Sequence, residues 1–308
     1  MSDIQLFRLS NGTASELPGQ AAKLERQLQS LIEANMQTLL GIRFLASEYV
    51  TGNTHKGRID SLGLDENGCP VIIEYKRHSN ENVINQGLFY LDWLLDHQAE
   101  FRWLVMEKLG KEVAEQIEWS GTRLLCIAID FTRYDQYAVQ QIPRNIELIR
   151  YKLFGDDLLL LELVNASSVP DMTTAKIRGA LEGVIEPVTP KADSRDRSML
   201  DQLNNASPEV QDLYAQTAAF LNSLGEDVQE KHTKAYIAFR RLKNFACVGV
   251  KQHRLLIMLK LDPTTVSLEE GFTRDTSQTN FFGVELTLRT PADLERAQPL
   301  LERSYTEG

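Results

Sequence analysis

The spacing of apolar residues switches between a helical and a strand-like period along this chain. Over residues 20–40 the apolar positions recur every three or four residues, which predicts one helix that ends at Gly41. Residues 58–64 and 69–77 are short apolar-rich runs and are interpreted as strands. The turn sequence Asp-Glu-Asn-Gly at 65–68 separates them, so we expect a β-hairpin there.

The same reading extends to the end of the chain and indicates a fold class. Helical and strand-like stretches alternate up to residue 165, which predicts an α/β (α+β) domain over residues 1–165. Residues 166–200 are rich in Ser, Thr, Pro and Asp and are interpreted as a linker, with a short helix over 174–184. A small α+β domain is predicted over residues 201–308. The other predicted elements are strands at 4–9, 44–50, 123–130, 146–153, 158–164, 236–239, 245–250, 254–261 and 284–288 and helices at 82–96, 101–117, 134–141, 210–224 and 291–305.

Length and composition are those of a globular protein with room for two cores. The 308 residues are 43% hydrophobic and 25% charged. The sequence shows no secretory pattern and no apolar run of bilayer length, so we expect no membrane partner. The cysteines, Cys69, Cys126 and Cys247, are scattered without metal-binding spacing, and this favours a reducing cytoplasm.

Three charged residues of the predicted hairpin carry the most informative chemistry. Glu74 and Lys76 are two positions apart and therefore share one face of a strand. With the turn centred near Asn67, the antiparallel partner of Glu74 is close to Asp60. Two carboxylates suit Mg²⁺ or Mn²⁺, and a neighbouring lysine can orient an attacking water or neutralise a phosphate. The plainer reading is a solvated strand end, because Glu-x-Lys is a common tripeptide.

The surrounding residues complete a known pattern. Gly57-x-x-Asp60, Glu74-x-Lys76 and Gln86-x-x-x-Tyr90 follow one another at plausible spacing. This order resembles the PD-(D/E)XK nuclease superfamily, in particular its RecB-like branch, although Arg-Ile-Asp replaces the Pro-Asp that names it. The resemblance implies a restriction-endonuclease-like core, with a mixed central β-sheet flanked by helices, in the first domain.

The resemblance also implies a role for each residue. Asp60 and Glu74 would bind Mg²⁺ or Mn²⁺, Lys76 would be the catalytic lysine, and Gln86 with Tyr90 would position the substrate. Glu25 in the first helix would be a supporting metal ligand, with Glu33 as the fallback. The plainer readings remain open: Glu25 as a first-turn acid that suits the helix dipole, and Tyr90 as core packing. The candidate active-site residues are therefore Glu25, Glu33, Asp60, Glu74, Lys76, Gln86 and Tyr90.

Basic residues suggest where nucleic acid could bind. Arg58 and Arg77 flank the hairpin and could contact DNA phosphates, although a solvated position is equally compatible with the sequence. The net charge is −10, yet residues 231–260 contain eight Lys or Arg and no Asp or Glu. Arg240, Arg241 and Lys243 in this window could form the basic face of a sheet along a nucleic-acid backbone. The alternative is a half-exposed sheet balanced by the acidic residues of 269–275.

The C-terminal order of helix, strands and helix resembles an uncharacterised bacterial domain that accompanies such nucleases. Versions of that domain have been labelled as transport-related, but no feature of this sequence supports transport. The sequence thus predicts a DNA-hydrolysing, divalent-metal-dependent nuclease of repair, restriction or phage defence. The alternative is a non-catalytic nucleic-acid-binding or regulatory protein that retains the nuclease fold. A homodimer and a protein partner for the C-terminal domain are both left open.

Overall fold

A computed structural model describes residues 4–52, 57–76, 83–167, 199–277 and 282–308. The chain divides into two compact units, residues 1–169 and 170–308. Most of the linker interpreted at 166–200, with its short helix at 174–184, lies outside the described residues. Within the described ranges, no helix combines the length and the apolar character needed to cross a membrane.

The first unit is a mixed α/β structure built on one central sheet. Its sheet strands are β3 (Gly19–Gln20), β4 (Ile42–Val50), β5 (Arg58–Asp65), β6 (Pro70–Lys76), β7 (Arg123–Ala128), β8 (Asn145–Phe154) and β9 (Leu158–Ser167), and a separate hairpin is formed by β1 (Leu6–Ser10) and β2 (Thr13–Leu17). Its helices are α1 (Glu25–Ala34), α2 (Met36–Leu40), α3 (Val83–Asp96), α4 (Gln98–Leu109), α5 (Lys111–Glu115) and α6 (Arg133–Gln141).

The order of the sheet is β4-β5-β6-β7-β8-β9, with β3 beside the far end of β8. β4, β5 and β6 are antiparallel, β6, β7 and β8 are parallel, and β9 returns antiparallel to β8. The parallel pairs require crossovers, which α3–α5 and then α6 provide. This mixed sheet flanked by helices is the fold class that the sequence predicts, and it is compatible with a nuclease-like core.

Side-chain alternation divides the core between the two faces of the sheet. Ile72, Leu124 and Cys126 pack in one cluster with residues of α3, α4 and α6. On the other face α1 contacts β5 and β6, and its Leu28 and Ile32 are buried. Because β6 and β7 are covered on both sides, every residue of β6 from Pro70 to Tyr75 is buried.

Two predicted helices are each divided in the structure. The helix expected over residues 20–40 is wrong in its extent, because residues 19–20 form β3 and α1 ends before Asn35. Asn35 has φ −125° and ψ 18°, and its side chain donates to the Leu31 carbonyl, so α2 starts as a separate turn. The buried positions Leu28, Ile32, Met36 and Leu40 still follow one period across this break. The helix expected over 101–117 is similarly interrupted at Gly110, whose φ of 94° favours glycine.

The second unit is a six-stranded antiparallel sheet with helices packed against it. Its order is β10-β11-β12-β13-β15-β14, and the elements are α7 (Met199–Asn204), α8 (Pro208–Ser223), β10 (Gln229–His232), β11 (Ile237–Arg240), β12 (Asn244–Lys251), β13 (Arg254–Leu259), β14 (Thr273–Asp275), β15 (Val284–Leu288) and α9 (Pro291–Glu307). Residues of α8 and α9 share one hydrophobic cluster with the central strands. A smaller cluster that includes Ala238, Cys247 and Phe282 lies apart from it.

The structure contradicts one residue of the basic face expected on this sheet, Arg240. All four residues of β11 are buried, and so are all residues of β12 except Lys251. Arg240 is only 3% exposed, and its guanidinium donates to the carbonyls of Arg241 and Leu242. Placing Arg240 on a phosphate-binding surface was therefore wrong, because its donors close the β11–β12 turn.

Candidate active site

The β5–β6 hairpin brings two carboxylates together at the point where its ladder of backbone hydrogen bonds ends. Ser61 pairs with Ile73, so Asp60 and Glu74 are the next opposed positions. Glu74 Oε1 accepts the Asp60 N–H at 3.2 Å, and Asp60 Oδ2 accepts the Tyr75 N–H at 3.0 Å. Each carboxylate thus takes a backbone amide of the opposite strand, and this fixes both side chains in place.

Glu74 is in an environment that disfavours its charged form. Its exposed fraction is 0%, and burial together with the charge of Asp60 raises its pKa to about 9. Burial also raises the pKa of Asp60, and the Tyr75 N–H opposes that rise. Glu74 Oε2 is buried and has no hydrogen-bond partner among the described residues. A buried carboxylate oxygen without a donor is costly, so this atom is suited to a cation or to a proton.

Lys76 is the last residue of β6, and its side chain reaches the first helix. Its Nζ lies 3.3 Å from Glu25 Oε1, at the start of α1. Its charge also lowers the pKa of both Asp60 and Glu74, although burial outweighs it. The structure therefore places Glu25, Asp60, Glu74 and Lys76 at one end of the hairpin.

The first helix supplies a second polar contact that the sequence analysis missed. Gln29 is buried, and its Nε2 lies 2.8 Å from the Asp60 carbonyl oxygen and 3.1 Å from Glu33 Oε1. Glu33 also accepts from Ser61 Oγ at 2.6 Å. Glu25, Gln29 and Glu33 are four residues apart, so they follow one stripe of α1 that faces β5 and β6. That spacing was the available signal for Gln29. Glu33 thus contacts the hairpin beside Asp60.

Gln86 and Tyr90 approach the hairpin from α3. The Tyr90 hydroxyl accepts from the Arg58 N–H at 3.2 Å and from Gln86 Nε2 at 3.4 Å. Gly57 allows this approach, because a Cβ there would lie 2.4 Å from a Tyr90 ring carbon. Tyr90 is also part of the core cluster, so it packs and holds the start of β5 at once.

The remaining predicted nucleic-acid residues have varied positions. Arg58 is exposed and forms an ion pair with Glu48. Arg77 lies outside the described residues. In the second unit, Arg241 is paired with Asp227 at 2.7 Å and covers the Tyr305 ring, while Lys243 is half-buried in the β11–β12 turn.

The carboxylates available as ligands determine how well this site suits a divalent ion. Within the described ranges, His, Cys, Asp and Glu side chains nowhere form a group of three or more that could hold a metal. Glu25 is engaged with Lys76, which leaves Asp60 and Glu74 as the carboxylate pair. Mg²⁺ commonly takes one or two carboxylates and completes its shell with water and substrate phosphate, so the pair fits such an ion.

Comparison with known proteins gives three findings. Residues 199–307 match a family described as a domain of unknown function (DUF5655), which agrees with the uncharacterised C-terminal domain expected from the sequence. An uncharacterised protein of Haemophilus influenzae is 27% identical over 311 residues, which cover 99% of this chain and 100% of that protein. A solved structure described as an EndoMS–dsDNA2 complex is 18% identical with a TM-score of 0.25, over 41% of this chain and 44% of that one. That last likeness is too low to bear on fold or activity.

Proposed function

We propose that this protein is a divalent-metal-dependent nuclease that hydrolyses DNA phosphodiester bonds, with its active site at the open end of the β5–β6 hairpin. One observation carries the proposal: Glu74 Oε2 is fully buried and has no hydrogen-bond partner among the described residues, beside Asp60 and two positions before Lys76 on β6. A divalent cation held by Asp60 and Glu74 would satisfy that oxygen.

Each residue has a defined task in this proposal. Asp60 and Glu74 would hold Mg²⁺ or Mn²⁺, which supplies an activated water and stabilises charge on the phosphate. Lys76 lies beside the pair and would contact a phosphate oxygen or the attacking water. Glu25 holds the Lys76 ammonium at the site before substrate arrives. Gln29 fixes the Asp60 backbone, and Tyr90 with Gln86 fixes the adjoining Arg58 amide.

The test compares cleavage of linear, single-stranded, branched and supercoiled DNA with Mg²⁺ or Mn²⁺. The variants are Asp60→Asn and Lys76→Met, which keep side-chain volume while removing charge. We expect each to lose about 100-fold or more of the cleavage rate, in line with the loss of general acid–base or electrostatic groups elsewhere. Chelation with EDTA should abolish cleavage by the wild-type protein.

Matched controls make the same chemical changes on exposed parts of the same unit. Asp92→Asn on α3 and Lys108→Met on α4 should cleave at the wild-type rate, because both side chains are exposed. Calorimetric titration with Mn²⁺ provides a second readout, with binding expected for wild type and lost in Asp60→Asn. If no DNA is cleaved and the site variants bind DNA like wild type, the protein is instead a non-catalytic nucleic-acid-binding module.

A further inference from the structure

Two tyrosines of α6 have most of their side-chain surface exposed to solvent. Tyr134 is 86% exposed and Tyr137 is 69% exposed. They are three residues apart and therefore neighbours on one side of the helix. The residue that α6 buries is Val139, and a capping box between Thr132 and Asp135 fixes the helix start. Neither ring is needed to hold α6 on the sheet.

This helix lies on the face of the sheet toward which Glu74 points. Val139 packs in the core cluster that contains Ile72 and Cys126. Side chains alternate along β6, so Ile72 and Glu74 point to one face. Burial raises the pKa of the Cys126 thiol and the nearby charge of Glu74 raises it further, which agrees with their common side.

The strand register also places α6 at the level of Glu74. Glu74 pairs with Cys126, Cys126 with Leu148, and Leu148 with Asn165. Asn165 Nδ2 then donates to the Gln136 carbonyl of α6 at 2.7 Å. Three strand spacings separate β6 from β9, so Asn165, which bonds α6, is about 14 Å across the sheet from Glu74. At the rise of about 3.4 Å per nucleotide of a strand in duplex DNA, this lateral distance corresponds to about four nucleotides.

We infer that Tyr134 and Tyr137 form a stacking platform for unpaired bases of a DNA strand whose backbone passes the Asp60–Glu74 site. The inference deepens the proposed function, on which it rests, and it names single-stranded DNA or the unpaired part of a branched molecule as the substrate class. Exposed aromatic rings bind such strands because every base has a face to stack, whereas paired bases in a duplex are already stacked. Arg133, exposed next to Tyr134, adds a charge for the phosphates.

The test measures binding rather than cleavage. A fluorescein-labelled dT12 strand and a blunt 12-bp duplex are titrated in EDTA with wild type, Tyr134→Ala/Tyr137→Ala and Tyr134→Phe/Tyr137→Phe. Because both side chains are exposed, the variants should keep the wild-type circular dichroism spectrum. Stacking by two rings predicts a rise of about 30-fold in the Kd for dT12 in the alanine variant. The phenylalanine variant keeps both rings and should stay within about threefold of wild type.

The outcomes separate this inference from the nuclease proposal. Equal weakening of duplex and dT12, or an alanine variant that binds dT12 like wild type, would overturn the platform. So would a wild-type protein that does not bind dT12. If a U12 RNA strand binds and loses affinity in the alanine variant as dT12 does, the rings stack on unpaired bases of RNA as well as DNA. If tyrosine-dependent binding is found but no substrate is cleaved, the platform stands and the nuclease proposal fails.

Discussion

The buried carboxylate of Glu74 makes the metal-free protein sensitive to pH, and Glu74→Gln should remove that sensitivity. The pKa of Glu74 rises from 4.5 to about 9 on folding. Between these values the folded protein holds a proton that the unfolded chain releases. The stability contributed by Glu74 is therefore complete below pH 4.5 and is lost as the pH rises through about 9.

The size of the effect follows from one proton. Between pH 6 and 8 the folded state binds about one more proton at this position than the unfolded state. The free energy of unfolding should then fall by about 1.4 kcal/mol per pH unit, or about 2.7 kcal/mol over the window. Glu74→Gln cannot release a proton, so its dependence on pH should be flatter by that amount.

Urea unfolding in EDTA at pH 6, 7 and 8 would measure this difference. All three tryptophans, Trp93, Trp103 and Trp119, lie in the first unit, so their fluorescence follows that unit alone. Glu115→Gln is the matched control, because its side chain is 63% exposed and the same change there costs no buried charge. Equal pH dependence in wild type and Glu74→Gln would refute the reasoning. Saturating Mg²⁺ should stabilise wild type, by about 2.7 kcal/mol at 100 times the Kd, and leave Glu74→Gln unaffected.

Two further predictions concern buried charges away from the site. Arg123 is fully buried between Asp65 (3.2 Å) and Glu147 (2.7 Å). Arg123→Met should therefore lower the free energy of unfolding of the first unit by about 3–5 kcal/mol. Tryptophan-monitored urea unfolding measures this loss, and a loss below about 1 kcal/mol would contradict the argument. In the second unit, Arg240→Met removes two hydrogen bonds from the Arg240 guanidinium to turn carbonyls, so it should lower the free energy of unfolding by about 1–3 kcal/mol. Hydrogen exchange of residues 237–251 measures that loss. The control is Arg241→Met, whose part-exposed side chain should contribute less than about 1 kcal/mol. Equal protection in the two variants would show that Arg240 is dispensable.

Local sequence patterns predicted those features of the site that depend on residues close together in the chain. The turn at 65–68 determines the hairpin register, so Asp60 could be placed opposite Glu74 by counting from Asn67. The three-four spacing on α1 kept its buried stripe in place even though Asn35 divides the predicted helix. The prediction for Arg240 was wrong because alternation within a strand does not say whether its second face meets solvent. In β11 and β12 both faces are covered, and Arg240 became a buried turn residue.

The sequence by itself determined the alternation of elements, the hairpin and the charged residues it carries. Those features depend on turn chemistry and side-chain periodicity, which act over a few residues. The tertiary structure alone decided that Gln29 bonds the Asp60 backbone, that Glu25 pairs with Lys76 and that α6 lies level with Glu74. These contacts join residues 31, 51 and more positions apart, and they arise only when the sheet is assembled and α1 packs on it. Packing also excludes water from Glu74, and that burial is the physical reason why an ordinary Glu-x-Lys pair becomes a candidate active site.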